Sequence, residues 1–265
     1  MDYGMPSLIE LNSLEENCRL CSSLNLDFLE INMNFPEYQA ESFDAELYSA
    51  LKNKYGIYFT VHLSESMDVA DINPKVRNAW LETVSETIDF AKKIQCPVIN
   101  MHMNHGICVT LPEKKQYIYE YKNREFMESM EAFRNFCQEK IGDSGIKICI
   151  ENTDGFMDFE KNAVNMLLIS PVFALTWDIG HSIKSDEADM DFLLSNISHL
   201  KHFHIHDGTR KENGGRCHQE LGRGEINLNA RISLAKECGA RCVIETKTAV
   251  SLKNSVKWLE SNSLK

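Results

Sequence analysis

Short apolar segments recur along the chain, each followed by a longer stretch in which apolar and polar positions alternate with helical spacing. Eight such segments read as strands: 2–5, 26–32, 57–63, 97–103, 146–152, 172–178, 201–207 and 241–246. Each is short and rich in β-branched or aromatic residues, as buried parallel strands are. The clearest helix between them runs over 73–94, with Asn73 suited to cap it and Pro74 to open its first turn. A second amphipathic stretch runs from Gln116 to Ile141. Strand and helix alternating eight times in 265 residues predict a single (β/α)8 TIM barrel spanning 1–265. A doubly wound open sheet would call for a glycine-rich phosphate turn after its first strand, and no GxGxxG is present.

In such a barrel the chemistry gathers at the C-terminal ends of the strands. Those ends carry Glu30 and Asn32, then His62, His102, Glu151 with Asn152, Asp178, His204 with His206, and Glu245. Burying so many ionisable groups without partners would cost several kcal/mol each, and a divalent cation satisfies them together. Carboxylates and imidazoles without thiolates suit Mn²⁺, Co²⁺, Zn²⁺ or Mg²⁺. Glu151, Asp178, His204 and Glu245 fall on strands five to eight, neighbours that can surround one metal.

The stretch KHFHIHD, 201–207, places His202, His204 and His206 on one face of a strand and Phe203 with Ile205 on the other. The imidazoles are expected to look along the barrel axis. His204 is the expected ligand, His206 lies nearer the mouth in a position to touch substrate, and His202 lies deeper in a hydrogen-bonded core role. Trp177 alternates away from the ligand face and reads as packing, and His105 and His199 read as surface residues.

Composition narrows the function classes. The net charge of −11 argues against a broad nucleic-acid surface, although it leaves room for a local basic pocket. Of the nine cysteines, Cys18 and Cys21 sit one helical turn apart, as in ordinary helix packing, and the set reads as reduced, mostly buried thiols of a cytoplasmic protein. No run is long enough for a membrane span, and the N-terminus has no signal-peptide pattern.

The motifs IEN (150–152), WDIGH (177–181), HFHIHD (202–207), HxxLGxGEI (218–226) and IET (244–246) resemble those of the xylose isomerase-like TIM barrels. That superfamily includes sugar isomerases and epimerases and the endonuclease IV-type DNA-repair enzymes. The resemblance implies one metal held by Glu151, Asp178, His204 and Glu245, with Glu151 and Glu245 as the proton-transferring pair. It also implies substrate contacts from His181 and Arg210. His62 and His102 are left as sugar contacts or as ligands of a further metal. The implied substrate is a small sugar or sugar phosphate, and homo-oligomers are common among such barrels.

The alternative implied by the same superfamily is a zinc phosphodiesterase acting on abasic DNA, with up to three metals. His62, His102, His181 and His218 would then add ligands. The departure from that pattern is Arg216, which stands where the repair enzymes carry an aspartate; a guanidinium does not ligate a metal.

Overall fold

The computed structural model describes residues 1–265. Its barrel strands are β1 (Tyr3–Pro6), β2 (Phe28–Asn32), β3 (Tyr58–His62), β4 (Val98–His102), β5 (Lys147–Glu151), β6 (Phe173–Asp178), β7 (Leu200–Ile205) and β8 (Arg241–Ile244). All pair in parallel with their sequence neighbours, and β8 returns beside β1 through Tyr3 with Cys242 and Gly4 with Val243. The closed ladder leaves no barrel edge. This is the (β/α)8 barrel that the alternation of the sequence predicts.

Helices cover the outside: α1 (Leu14–Ser23), α2 (Ala45–Tyr55), α3 (Pro74–Ile94), α4 (Asn123–Ile141), α5 (Asp158–Leu167), α6 (Ile179–Lys184), α7 (Met190–Ser195), α8 (Leu228–Glu237) and α9 (Ala249–Ser261). In α3 the Asn73 side chain accepts from the Lys75 N–H at 3.0 Å, and Pro74 fills the first turn, where its missing N–H costs nothing.

The stretch read as helix from Gln116 divides. Cys108–Thr110 and Lys115–Tyr117 form an antiparallel hairpin, Ile118–Tyr121 makes one helical turn, and α4 begins only at Asn123. The buried residues Phe126, Met130, Phe133, Cys137 and Ile141 carry the helical spacing, and none lies before α4. The motif at 218–226 ends in a loop rather than running straight into the next helix. α8 begins at Leu228, capped by Asn227, while Glu225 takes a hydrogen bond from Asn213 at 2.6 Å.

Outward-facing strand residues such as Leu29, Ile31, Val61, Ile99, Ile148, Ile150, Leu175, Phe203 and Ile205 are buried in one large core beneath the helices. Trp177 belongs to it: its Nε1 donates to Ser182 Oγ at 2.8 Å, and the Arg231 guanidinium lies 4.6 Å from its ring centre. Strand alternation sends Val98, Cys149 and Ala174 inward, where they form a small separate apolar cluster. Above them, on the same inward parity, come Asn100 and Thr176, then His102, Glu151 and Asp178. On β4–β6 the barrel interior is therefore apolar at its floor and ionisable at its mouth, while across the barrel the deep layers are polar, with His202 against Glu30 and Arg241 donating to the Tyr58 hydroxyl. One irregularity interrupts the ladder: β6–β7 pairing steps from Leu175 with Leu200 to Thr176 with His202, leaving Lys201 unpaired in a bulge.

Candidate metal centre

Glu151 ends β5, Asp178 ends β6, His204 lies in β7, and Glu245 follows β8, held in line by its N–H bonding the Ile205 carbonyl at 3.0 Å. Their ligand atoms all lie within 4.8 Å of one another. His204 Nδ1 is the hub, 3.2 Å from Glu151 Oε1, 3.3 Å from Glu245 Oε2 and 3.9 Å from Asp178 Oδ2. One imidazole nitrogen cannot satisfy three carboxylates, and Glu245 Oε2 is buried with no hydrogen-bond partner. An acid set this dense and this dry fits a divalent cation, in donor chemistry as well as in charge.

Electrostatics point the same way. Burial opposes ionisation of Glu151, but His204 and His102 outweigh it and hold the carboxyl well below the usual range. Burial is likewise outweighed at Glu245, by His204 and then by Lys247, whose ammonium sits 2.7 Å from Oε1. At Asp178 burial is outweighed by His181 and His206, so that the pKa is lowered. All three acids are held as carboxylates, the form a cation needs.

Around this set stand two further groups of histidines. On the Glu151 side, Asn100 Nδ2 donates to Oε2, with His62 Nε2 at 3.3 Å and His102 Nε2 at 3.5 Å from the same oxygen. His62 Nδ1 lies 2.7 Å from the Leu63 carbonyl, which can only accept, so that nitrogen carries a proton. Its Nε2 is thereby left facing Glu151.

On the other side, Asp178 caps α6 by accepting from the His181 N–H at 2.6 Å. The His181 ring turns inward, with Nδ1 3.4 Å from Asp178 Oδ2 and 3.7 Å from Glu151 Oε1. Burial disfavours its charged form, but Asp178 prevails and pushes the ring up to about 10. His181, His206 and His218 form a second set of nearby nitrogens. Cys217 sits among them, and hydrogen bonding to His181 and His218 pulls its thiol down to about 6. Cys217 is half-buried; six of the other cysteines are buried and none is paired in a disulfide.

The glycines of the motifs have steric reasons. A Cβ at Gly180 would lie 1.9 Å from the His206 ring. Gly222 adopts a φ of +81°, and a Cβ at Gly224 would lie 2.2 Å from the Gly208 carbonyl oxygen and 2.4 Å from Asp207 Oδ1. Asp207 organises this loop: it accepts from the Gly208 and Gly222 N–H groups, both at 2.9 Å, and from Ile226 at 3.3 Å.

The structure thus brings together Glu151, Asp178, His204 and Glu245, with His62, His102, His181, His206 and His218 against them. Arg210 stands apart from these acids, its guanidinium held by Glu187 at 2.8 Å. His105 is a correction: its Nδ1 lies 2.6 Å from Glu160, which is wholly buried, so this ring is a tether rather than a surface residue. Sequence reasoning did not single out Asn100, Lys247, Asp207 or Cys217. Asn100 carries a signal in retrospect, two residues before His102 and so on the same strand face.

The chain belongs to the xylose isomerase-like TIM barrel family, whose model matches residues 18–262. No curated protein sequence matches it. Among solved structures, a D-tagatose 3-epimerase-like protein is 22% identical, with a TM-score of 0.76 over 98% of this chain and 96% of that one. The 3-keto-D-glucoside 4-epimerase YcjR from E. coli is 14% identical, with a TM-score of 0.76 over 98% and 99%. The IolI protein with a bound zinc atom is 16% identical, with a TM-score of 0.75 over 100% and 98%. At these identities the likeness is one of fold.

Proposed function

We propose that this chain is a divalent-metal-dependent isomerase or epimerase of a sugar or sugar phosphate. The observation that carries the reading is the cage of Glu151, Asp178, His204 and Glu245, in which two of the four ligands are glutamates able to move protons. Those four would hold one Mn²⁺, Co²⁺, Zn²⁺ or Mg²⁺. Such an ion supplies Lewis acidity, polarising a substrate carbonyl and acidifying the adjacent C–H. Glu151 or Glu245 takes that proton and leaves an enediolate. Return from the other glutamate on the opposite face inverts the carbon, whereas return at the neighbouring carbon interconverts aldose and ketose. In this reading His181 and, across the site, His62 and His102 would bind substrate oxygens and Arg210 would grip the far end of the sugar, while His206, buried with both ring nitrogens engaged, would orient Asp178 rather than touch substrate. Support for a sugar comes from the names of the structural neighbours, among them a D-allulose 3-epimerase from Methylomonas sp. in complex with D-allulose.

The test is solvent-hydrogen exchange. Protein stripped of metal and reloaded with manganese is incubated with a ketose panel in heavy water. The expected result is deuterium entering beside the carbonyl, lost in Glu151→Gln and Glu245→Gln. Turnover that survives in both variants would overturn the mechanism.

One observation favours a second reading, a zinc phosphodiesterase acting on abasic DNA: His62 and His102 converge on Glu151 although a one-metal epimerase does not require them as ligands. Arg216 and the net charge of −11 weigh against it. Cleavage of an abasic duplex that is lost in His102→Ala would support it.

A further inference from the structure

Asn152 follows Glu151 in the chain and is fully buried. The β5–β6 ladder ends at Glu151 with Thr176, two residues short of Asp178. Beyond that point a side chain takes over from the backbone. Asn152 Oδ1 accepts from the Asp178 N–H at 2.8 Å, and Asn152 Nδ2 donates to the Asp178 carbonyl at 3.0 Å. One amide thus closes on both main-chain groups of a residue that supplies an acid to the cage. On its other side Asp178 pairs with His204 of β7. The clamp therefore completes its hold on two neighbours, each of which carries a member of the cage.

The amide is itself oriented by a chain of directed hydrogen bonds. The Trp177 indole can only donate, and it donates to Ser182 Oγ at 2.8 Å. The Ser182 hydroxyl sends its own proton to Asp189 Oδ1, 2.9 Å away. Its remaining lone pair faces Asn152 Nδ2 at 3.1 Å, which admits the NH2 of the amide and not its oxygen. Ser182, on α6, and Asp189, just before α7, are both buried, and neither side chain hydrogen-bonds an acid or imidazole of the cage.

We propose that Asn152 is a positioning residue, which fixes the spacing of Glu151 and Asp178 and so tunes the affinity of the cage for its ion, with Ser182 and Asp189 holding its amide in place. The role rests on the metal reading of the site given above. Pairing two buried main-chain groups would be reason enough for an amide. It would not be a reason for Asp189, a buried acid in no salt bridge, whose Oδ2 has no hydrogen-bond partner. Burying such a group is costly. Its use is as the acceptor that ends the chain from Trp177 and Ser182 and so leaves Asn152 one orientation. Groups that orient the ligands of a metal in this way change its affinity without touching it.

The experiment titrates cobalt and zinc into the full-length, metal-stripped chain by calorimetry and records the visible absorption of the cobalt form. Metal-free melting is the folding control. Wild type is expected to bind one ion at the cage. Asn152→Leu keeps the bulk of the side chain without its hydrogen bonds, and is expected to bind about 10–100-fold more weakly with the cobalt bands displaced. Asp189→Leu removes the last acceptor of the chain, so a smaller loss in the same direction is expected. Asp189→Asn still accepts from Ser182 and is expected to restore the binding lost in Asp189→Leu. This pair keeps the role testable even if Asn152→Leu does not fold. A lower melting temperature with unchanged affinity and unchanged cobalt bands would overturn the positioning role while leaving the metal site intact. Equal losses in the two Asp189 variants would also overturn it as stated, because the charge and not the accepted hydrogen bond would then matter. No binding by wild type would overturn the metal reading and this role with it.

Discussion

The backbone N–H of His218 donates to Nδ1 of His206 at 2.8 Å, and this leaves Nε2 of the same ring facing Asp178 at 3.0 Å. The returning loop thereby sets which nitrogen of His206 carries its proton, and that proton anchors one acid of the cage. Gly180 makes the arrangement possible by leaving room for the ring. Gly180→Ala would place a methyl 1.9 Å from a fully buried imidazole that is pinned at both nitrogens. The expected cost is about 1–3 kcal/mol of stability, read by denaturant unfolding, together with weaker metal binding.

Substituting the two glutamates tests the chemistry directly. Glu151→Gln and Glu245→Gln should each lower kcat by about 10²–10⁴-fold on the sugar identified by exchange, as expected for loss of a general acid or base. Single-turnover kinetics with saturating manganese would separate that loss from weaker metal binding.

Asp207 reaches no part of the cage but accepts three backbone N–H groups of the loop that carries His218. Asp207→Asn would turn part of that acceptor into a donor aimed at N–H groups. A loss of about 1–3 kcal/mol is expected. Hydrogen exchange confined to residues 216–226 should accelerate, which peptide-level mass spectrometry would resolve.

Cys217 should behave unlike the other thiols. With its thiol pulled down to about 6, it is a thiolate at neutral pH, whereas burial pushes Cys18, Cys96, Cys149 and Cys242 up to about 12. Iodoacetamide labelling at Cys217 is expected to rise through a midpoint near pH 6, as followed by mass spectrometry. The exposed Cys108 serves as the internal comparison.

The tether between His105 and Glu160 predicts a pH dependence of stability. Hydrogen bonding to Glu160 raises the His105 pKa above 6.5, against the opposing effect of burial. A raised folded-state pKa gives a contribution fully present below about 6.5 and lost as pH rises through the folded value. Removing the ring in His105→Ala should therefore cost most near pH 6, about 1–3 kcal/mol, and progressively less at alkaline pH. Thermal melting of both proteins across that range would measure it.

Much of the barrel was legible because alternation and helical periodicity are local. His202, His204 and His206 announce an inward face from three positions of one strand, and Asn73-Pro74 announce a helix start from two. What alternation does not give is the neighbour across the barrel. Glu30 and His202 are 172 positions apart and meet only because the barrel closes. The hairpin at Cys108–Tyr117 was hidden for another reason: its strands are three residues each, too short to show a period. His105 was hidden as Glu30 and His202 were, because its buried partner Glu160 lies 55 positions away, on a helix after the next barrel strand.

The apolar cluster of Val98, Cys149 and Ala174 plugs the barrel beneath Glu151 and Asp178. Under the function proposed above, a metal ion, a sugar and its product would then share the mouth as their way in and out. A sugar seated above the cage would lock the ion in, so metal exchange should stall during turnover and resume only in the empty protein. Three small apolar side chains, far from the acids, would in that way decide which molecule has to arrive first.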